Sequence, residues 1–258
     1  MRMKITMITD REQAIPINYQ HYLTAAAYNL LSEGDTDYAS FLHNEGYTLE
    51  GSSKTFKLFC FSGLRAKVRR NVGPTLYIGP GTVEWYVGSP VELFLRNFAT
   101  GLLAQGHLNV GGQLLAIRDV QSLLSPRFDS DEMHFTCLSP IVVGQSNTQS
   151  HVQYLRPSDG EVFSEAVRKN LLNKHRILYG SEPENTDFLL TFDADYLADP
   201  SHRGGTKLVR YKDIDVVGAQ APFAVKGSPD LMQVMYDCGA GEKNAGGFGM
   251  VEIVNRYR

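Results

Sequence analysis

Two sets of residues in this sequence have types and spacing suited to chemistry. The first is the run Gly239-Ala240-Gly241-Glu242-Lys243-Asn244-Ala245-Gly246-Gly247-Phe248-Gly249, in which five of eleven residues are glycine. Without Cβ, such a backbone can turn several N–H groups toward one bulky anion, as a nest does. Lys243 adds a positive charge near its middle. A nucleic-acid backbone is the natural anion of that length, while the purely structural reading is a turn that lets two sheets pack closely. The order around the run is helix, loop, strand. Pro229–Asp237 reads as a helix with Leu231, Val234 and Met235 on one face, and the residues after Gly249 alternate as a strand. Nucleotide-binding glycine loops run the other way, from strand to helix, so that a helix N-terminus meets the phosphate. Asn244 stands where G-x-G-x-x-G needs its last glycine, and no Gly-Lys-Ser/Thr follows. ATP and NAD are therefore not expected ligands.

The second set is the histidines, seven in all. An unperturbed imidazole pKa of about 6.5 suits either general acid or general base work. His43 has the best context: it closes a short helical pattern just before Asn44-Glu45-Gly46, where a side chain can face a cleft. Tyr28 lies on the preceding helix, and its phenol can donate a hydrogen bond, assist proton transfer or simply pack. His21 near a helix start suits packing or capping. His107, His134 and His175 fall at strand or helix ends without a visible partner, and His151 and His202 lie in polar stretches open to a nucleic acid. No His-x-x-x-His or Cys-x-x-Cys pair is present, and His134 and Cys137 would point to opposite faces of a strand, so no metal and no cofactor are expected. A Gly-x-Ser-x-Gly elbow is also missing.

The elements that must position these residues follow from periodicity. Residues 2–9 alternate as a strand; 20–33 carry a wide apolar helical stripe with Asn18 as its cap; Asp35 or Thr36 caps a second helix over 37–43. Residues 55–64 read as one Phe-rich strand. Leu76–Ile78 and Val83–Val87 flank Gly79-Pro80-Gly81 as a hairpin, and Ser89-Pro90 opens a helix to about Ala104. Strands are expected over 113–124 and 133–138. After a polar loop at 144–150, the second half has a short strand at 151–155, a helix over 161–178, strand character over 186–196 and 207–211, and a strand region over 214–226. Each half thus follows β-α-β-β-α-β, which predicts an α+β chain of two tandem ferredoxin-like, RRM-like units. Ser125-Pro126 through Asp131 interrupts the pattern, dividing the chain into units 1–125 and 131–258.

The chain has 258 residues, a net charge of −3 and three widely spaced cysteines. An odd, dispersed cysteine set suits a reducing cytosol, and no apolar run approaches the ~20 residues that span a bilayer, so a cytoplasmic protein without membrane contact is expected. The slightly acidic balance argues against indiscriminate nucleic-acid binding but leaves room for local basic surfaces. Two basic clusters stand out: Arg65, Lys67, Arg69 and Arg70; and Arg203, Lys207 and Arg210.

The run from Gly241 through Gly247-Phe248-Gly249-Met250-Val251 closely resembles the C-terminal signature of the CRISPR-associated endoribonucleases that cut CRISPR precursor RNA, and Phe41-Leu42-His43-Asn44-Glu45-Gly46-Tyr47 resembles their catalytic-histidine segment. The resemblance implies two ferredoxin-like units side by side. It also implies a helix tyrosine that joins the histidine, here Tyr28, and a lysine leading into the next strand. Lys57 fits the Lys-Leu-Phe pattern and Lys54 the loop position, so both are carried. The glycine loop, through Gly239, Gly241, Lys243, Asn244, Gly246, Gly247, Phe248 and Gly249, would hold the RNA backbone, and Arg203, Lys207 and Arg210 would lie along it. The implied reaction is metal-independent cleavage within CRISPR repeat RNA by attack of the 2′-OH, with 2′,3′-cyclic phosphate and 5′-OH products. Other interference-complex subunits and a homodimer are further partners left open. Two other readings stand beside it: a catalytically weak RNA-holding subunit, and a ferredoxin-like structural protein that binds no nucleic acid.

Overall fold

In the computed structural model, which describes residues 1–52, 54–146 and 152–254, a six-stranded and a four-stranded antiparallel sheet share one four-strand topology. The first is built from β1 (Arg2–Thr9), β2 (Cys60–Phe61), β3 (Gly81–Gly88) and β4 (Gln113–Leu123), in the order β4-β1-β3-β2. The second is built from β5 (Glu132–Cys137), β6 (Phe188–Phe192), β7 (Phe223–Gly227) and β8 (Val251–Ile253), in the order β8-β5-β7-β6. Both place the fourth strand beside the first and the second at the edge, which is the ferredoxin-like arrangement. His107–Val110 extends the first sheet beyond β4, and Arg65–Ala66 pairs with β3.

Alternation along β1 buries Met3, Ile5 and Met7 against two helices, α1 (Gln20–Gly34) and α3 (Glu92–Gln105). Between them in sequence, α2 (Thr36–Asn44) starts where the Asp35 carboxylate accepts from the Tyr38 amide at 2.9 Å. In the second half α4 (Gly160–Tyr179) and α6 (Pro229–Cys238) cover β5–β8, with a one-turn helix α5 (Ala194–Ala198) between them. Ser228 caps α6 and Pro229 fills its first turn.

Several expected elements differ, each because tertiary packing decides. Tyr19, not Asn18, stands at the N-cap of α1, where it makes no side-chain cap bond; its buried ring reaches across so that its hydroxyl accepts from the Leu64 amide at 3.1 Å. The 55–64 strand is split: Thr55–Phe56 pairs with Tyr47–Thr48, β2 pairs with β3, and Leu58 between them is left-handed at φ 54°. Phe56 and Leu58 enter the second core while Phe59 and Phe61 enter the first. Thr75–Ile78 and β3 do not pair; the former joins Gln13–Pro16 and Arg69–Val72 in a separate sheet. Ser89 bridges to the Leu58 carbonyl at 2.7 Å, and α3 begins at Glu92, past Pro90. Residues 186–196 are a strand followed by α5, because Asp193 accepts from the Tyr196 amide and starts a helical turn. The 214–226 stretch holds two strands in different sheets, Ile214–Ala219 paired with Thr206–Tyr211 and β7 with β5 and β6. Gly144–Ser146 pairs with Val152–Tyr154 where a polar loop was expected; His151 lies outside the described residues.

Helices α1 and α3 cross with backbones in contact: a Cβ on Gly101 would fall 2.0 Å from the Leu30 carbonyl oxygen, and one on Gly34 would fall 2.3 Å from that of Asn97. Helix propensity alone would make Gly101→Ala stabilising by about 1 kcal/mol. Overpacking costs about 1–3 kcal/mol and here acts on backbone that cannot rotate away. Gly101→Ala is therefore expected to lower the thermal midpoint by several degrees, which a melting curve followed by circular dichroism checks.

Candidate active site

His43 sits in the last turn of α2 with its ring exposed. Tyr28 on α1 meets it edge to face, with ring centroids 5.2 Å apart and planes at 82°. The phenol ring also rests on Phe59, 5.9 Å away. From the split strand, the Lys57 ammonium donates to the His43 carbonyl at 3.2 Å. Gly46 makes room for it, since a Cβ there would fall 2.9–3.0 Å from the Lys57 stem and ammonium. Tyr28, His43 and Lys57 are thus brought together. Lys54 is not; it points toward Glu242, 3.9 Å from its carboxylate.

The imidazole has a defined orientation. His43 Nδ1 lies 3.0 Å from Asn44 Oδ1, and the Asn44 amide nitrogen donates to Ser40 Oγ at 3.2 Å. The contact engages Nδ1 and leaves Nε2 as the ring nitrogen open to a substrate. Burial, reinforced by nearby Tyr211, pushes the Tyr28 phenol up to about 12, so at neutral pH it is a hydrogen-bond donor and not a base. Burial also lowers the Lys57 pKa, against the opposing pull of Glu45. The three groups offer a proton acceptor, a phenol donor and a cation.

The glycine loop forms the facing wall. Lys174, buried on α4, donates to the carbonyls of Gly239 at 2.7 Å and Gly241 at 3.0 Å and to Asn244 Oδ1 at 2.7 Å. Asn244 in turn donates from Nδ2 to the Ala240 and Phe248 carbonyls, both at 3.1 Å. A Cβ on Gly249 would fall 2.0 Å from the Ala240 oxygen, and one on Gly241 would fall 2.3 Å from that of Val142. Gly239, Gly241, Gly247 and Gly249 are accordingly buried, and Phe248 packs with Val142, Val209 and Val216 in the core. The parts of the loop open to a ligand are Lys243, exposed and left-handed at φ 58°, and the partly exposed Asn244, Ala245 and Gly246. The loop docks on α1, where Thr24 Oγ1 lies 3.4 Å from the Ala245 carbonyl and accepts from the Tyr211 hydroxyl at 3.0 Å. Between the loop and residues 54–59 opens a cleft of about 310 Å³ that Asn170 and Lys174 also line.

The basic clusters are rearranged by the fold. Arg203 is exposed in a left-handed turn at φ 51°, and Arg210 pairs with Asp215 at 3.0 Å. Lys207 projects from the opposite face of the same strand. Its pKa is lowered by desolvation and by the like charge of Arg69, which brings the two clusters into one electrostatic neighbourhood. Two further histidines are tied locally: His175 Nδ1 lies 2.7 Å from the Ser181 carbonyl, and His202 stacks on Tyr196 at 3.7 Å. Among the described residues, no three His, Cys, Asp or Glu side chains gather as a metal site would need. Cys60, Cys137 and Cys238 are free and buried, and burial raises each thiol pKa. No helix among the described residues is long and apolar enough to cross a membrane.

Sequence reasoning missed Asn44 and Lys174. A signal for Lys174 was present: it falls in register with Val167, Leu171 and Leu178, on the buried face of its helix.

Comparison with known proteins shows the family. Residues 14–121 match the family described as CRISPR-associated protein Cas6, N-terminal, and residues 123–253 match CRISPR associated protein Cas6, C-terminal. The chain is 30% identical over 255 residues to the CRISPR-associated endoribonuclease Cas6 1 of Methanocaldococcus jannaschii, covering 97% of this chain and 92% of that protein. It is 26% identical to the CRISPR-associated endoribonuclease Cas6 of Pyrococcus furiosus, covering 98% and 90%. A solved structure of a CRISPR associated protein Cas6 superposes with a TM-score of 0.76 at 30% identity, covering 99% of both chains.

Burial lowers the Lys174 pKa from 10.5 to about 8. Between those values the unfolded chain binds a proton that the folded chain does not, so stability rises with pH across that window. Wild type is expected to gain on Lys174→Met by roughly 1 kcal/mol per pH unit from pH 8 upward, and parallel urea unfolding at pH 7.5, 8.5 and 9.5 reads it. Parallel curves would show that Lys174 does not titrate in the folded state.

Proposed function

Because the chain belongs to the Cas6 family of CRISPR-associated proteins, we propose that it is an endoribonuclease that cuts CRISPR precursor RNA within its repeats, without a metal. The observation that carries this reading is the meeting of Tyr28, His43 and Lys57 beside a cleft walled by the glycine loop. Cleavage by attack of the 2′-OH on the adjacent phosphorus needs a proton acceptor, a donor for the leaving 5′-oxygen, and charge or donors for the crowded phosphorane. Nε2 of His43 is free for proton transfer, Tyr28 stays protonated as a donor, and Lys57 supplies charge to the phosphate. Lys54 and Lys243 lie at the cleft rim and attract the backbone on either side. The products are a 2′,3′-cyclic phosphate and a 5′-OH.

The rest of the reading follows from the same arrangement. Residues 1–125 carry the catalytic groups and residues 131–258 carry the loop that holds RNA. Arg203 and Lys207, with Arg69 near the latter, continue the path of the backbone. The buried glycines act through the shape of the loop, and its RNA contacts come from Lys243 and the residues around Gly246. The protein works in the cytoplasm, on repeat RNA.

In EDTA, wild type is expected to cut repeat RNA, while RNA with one 2′-deoxy nucleotide at the cut site binds but stays whole. His43→Ala should slow cutting about a hundredfold or more with little change in affinity. Lys57→Ala should slow cutting far more than Lys54→Ala, since only Lys57 reaches the histidine. Abolition of cutting by EDTA overturns the metal-independent route. Tight binding with no cutting by wild type assigns the chain to RNA holding instead.

A further inference from the structure

We infer that Asn170 reads the base of a nucleotide beside the scissile phosphate, an inference that rests on the RNA-cleaving role proposed above. Asn170 lies on α4 one turn before Lys174 and lines the same cleft as Lys54–Phe59 and Gly241–Gly246. Its Oδ1 is buried and has no hydrogen-bond partner among the described residues. Lys174, one turn further along the helix, cannot serve it, because its three N–H directions are taken by Gly239, Gly241 and Asn244.

A buried amide oxygen without a donor is costly to leave, and the Asn170 side chain is partly exposed, so a turn of its amide presents the oxygen to a group that enters the cleft with an N–H or O–H. A phosphate carries only acceptors and does not satisfy it. A nucleobase edge does, because each base places an N–H beside an acceptor, the complement of an amide's oxygen and NH₂. The cleft is built for both halves of a nucleotide. Lys57, Lys54 and Lys243 outweigh the one carboxylate of the lining, Glu242, and give the rim net positive charge for the phosphate, while Phe56 and Leu58 form an apolar wall suited to the base. At about 310 Å³ it has room for one nucleotide and not a duplex. Leu58 keeps that wall in place through its left-handed backbone, which holds its side chain in the second core. Single-stranded RNA is recognised in this way, with bases splayed from the strand and read on their edges.

The test is a cycle of protein and RNA changes. Repeat RNAs in which each nucleotide flanking the cut is replaced in turn by an abasic ribose are bound to wild type and to Asn170→Ala, with a 2′-deoxy nucleotide at the cut site to prevent turnover. Melting curves confirm that the variant is folded. At one position, removing the base should weaken binding to wild type by roughly 10- to 100-fold, and removing it should cost Asn170→Ala little. The same position should show a base preference in wild-type cleavage rates that Asn170→Ala flattens and that Asn170→Asp, with two acceptors and no donor, shifts. If Asn170→Ala weakens intact and abasic RNAs equally at every position, or keeps the wild-type base preference, the inference is overturned and Asn170 is structural. If wild type binds the repeat but never cuts it, the enzymatic reading fails, and the binding cycle alone still decides the role of Asn170.

Discussion

The buried ammonium of Lys174 is the interaction on which the site depends. A charge taken out of water costs several kcal/mol unless every donor finds an acceptor, and here all three N–H groups do, in the carbonyls of Gly239 and Gly241 and the amide oxygen of Asn244. Two of those acceptors are backbone, so the lysine holds the path of the loop and not only one side chain. Asn244 extends the grip to Ala240 and Phe248. The loop is closed on itself before it touches anything else, and it then rests on α1 of the other unit through Ala245 and Thr24. A helix of the second half thereby sets one wall of a cleft beside which Tyr28, His43 and Lys57 of the first half meet.

The other wall is set by a division of side chains between two cores. Within six residues, Phe56 and Leu58 go to one and Phe59 and Phe61 to the other. Phe56 and Leu58 share one face of the chain and Phe59 and Phe61 the other, as extended alternation gives, and the left-handed turn at Leu58 breaks the strand so that Thr55–Phe56 pairs with Tyr47–Thr48 while Cys60–Phe61 pairs with β3. Lys57, caught at that turn, is carried toward the His43 carbonyl. Its position is a by-product of where its apolar neighbours are buried, and partial burial is also what lowers its pKa.

Much of the architecture was legible because local pattern and tertiary placement agree. The alternation of 2–9, the stripe of α1, the Asp35 cap and the Ser228-Pro229 start of α6 each say locally what the fold requires. The misread stretches are those where the partner is chosen at a distance. Leu76–Ile78 looked like one arm of a hairpin, yet its edges are filled by Gln13–Pro16 and Arg69–Val72. For the site, His43 and Tyr28 could be named from a resembling segment and their helices, but periodicity could not choose between Lys54 and Lys57, because the choice turns on contacts made across the fold, Lys57 with the His43 carbonyl and Lys54 with Glu242. Lys174 was hidden for the opposite reason: a lysine is read as solvent-facing by default, and its in-register place on an apolar stripe was the only hint.

The packing of the glycine loop bears on what its signature means. Gly239, Gly241, Gly247 and Gly249 are held by contacts with Asn244, Val142, Phe61 and Ala240, none of which takes part in proton transfer. A chain of this architecture that lost its histidine would meet the same steric demands at all four positions. The motif by which such chains are most easily recognised is therefore a fingerprint of how two sheets and a loop fit together. The proton transfer proposed above rests elsewhere, on a side chain in the last turn of a short helix some two hundred residues earlier.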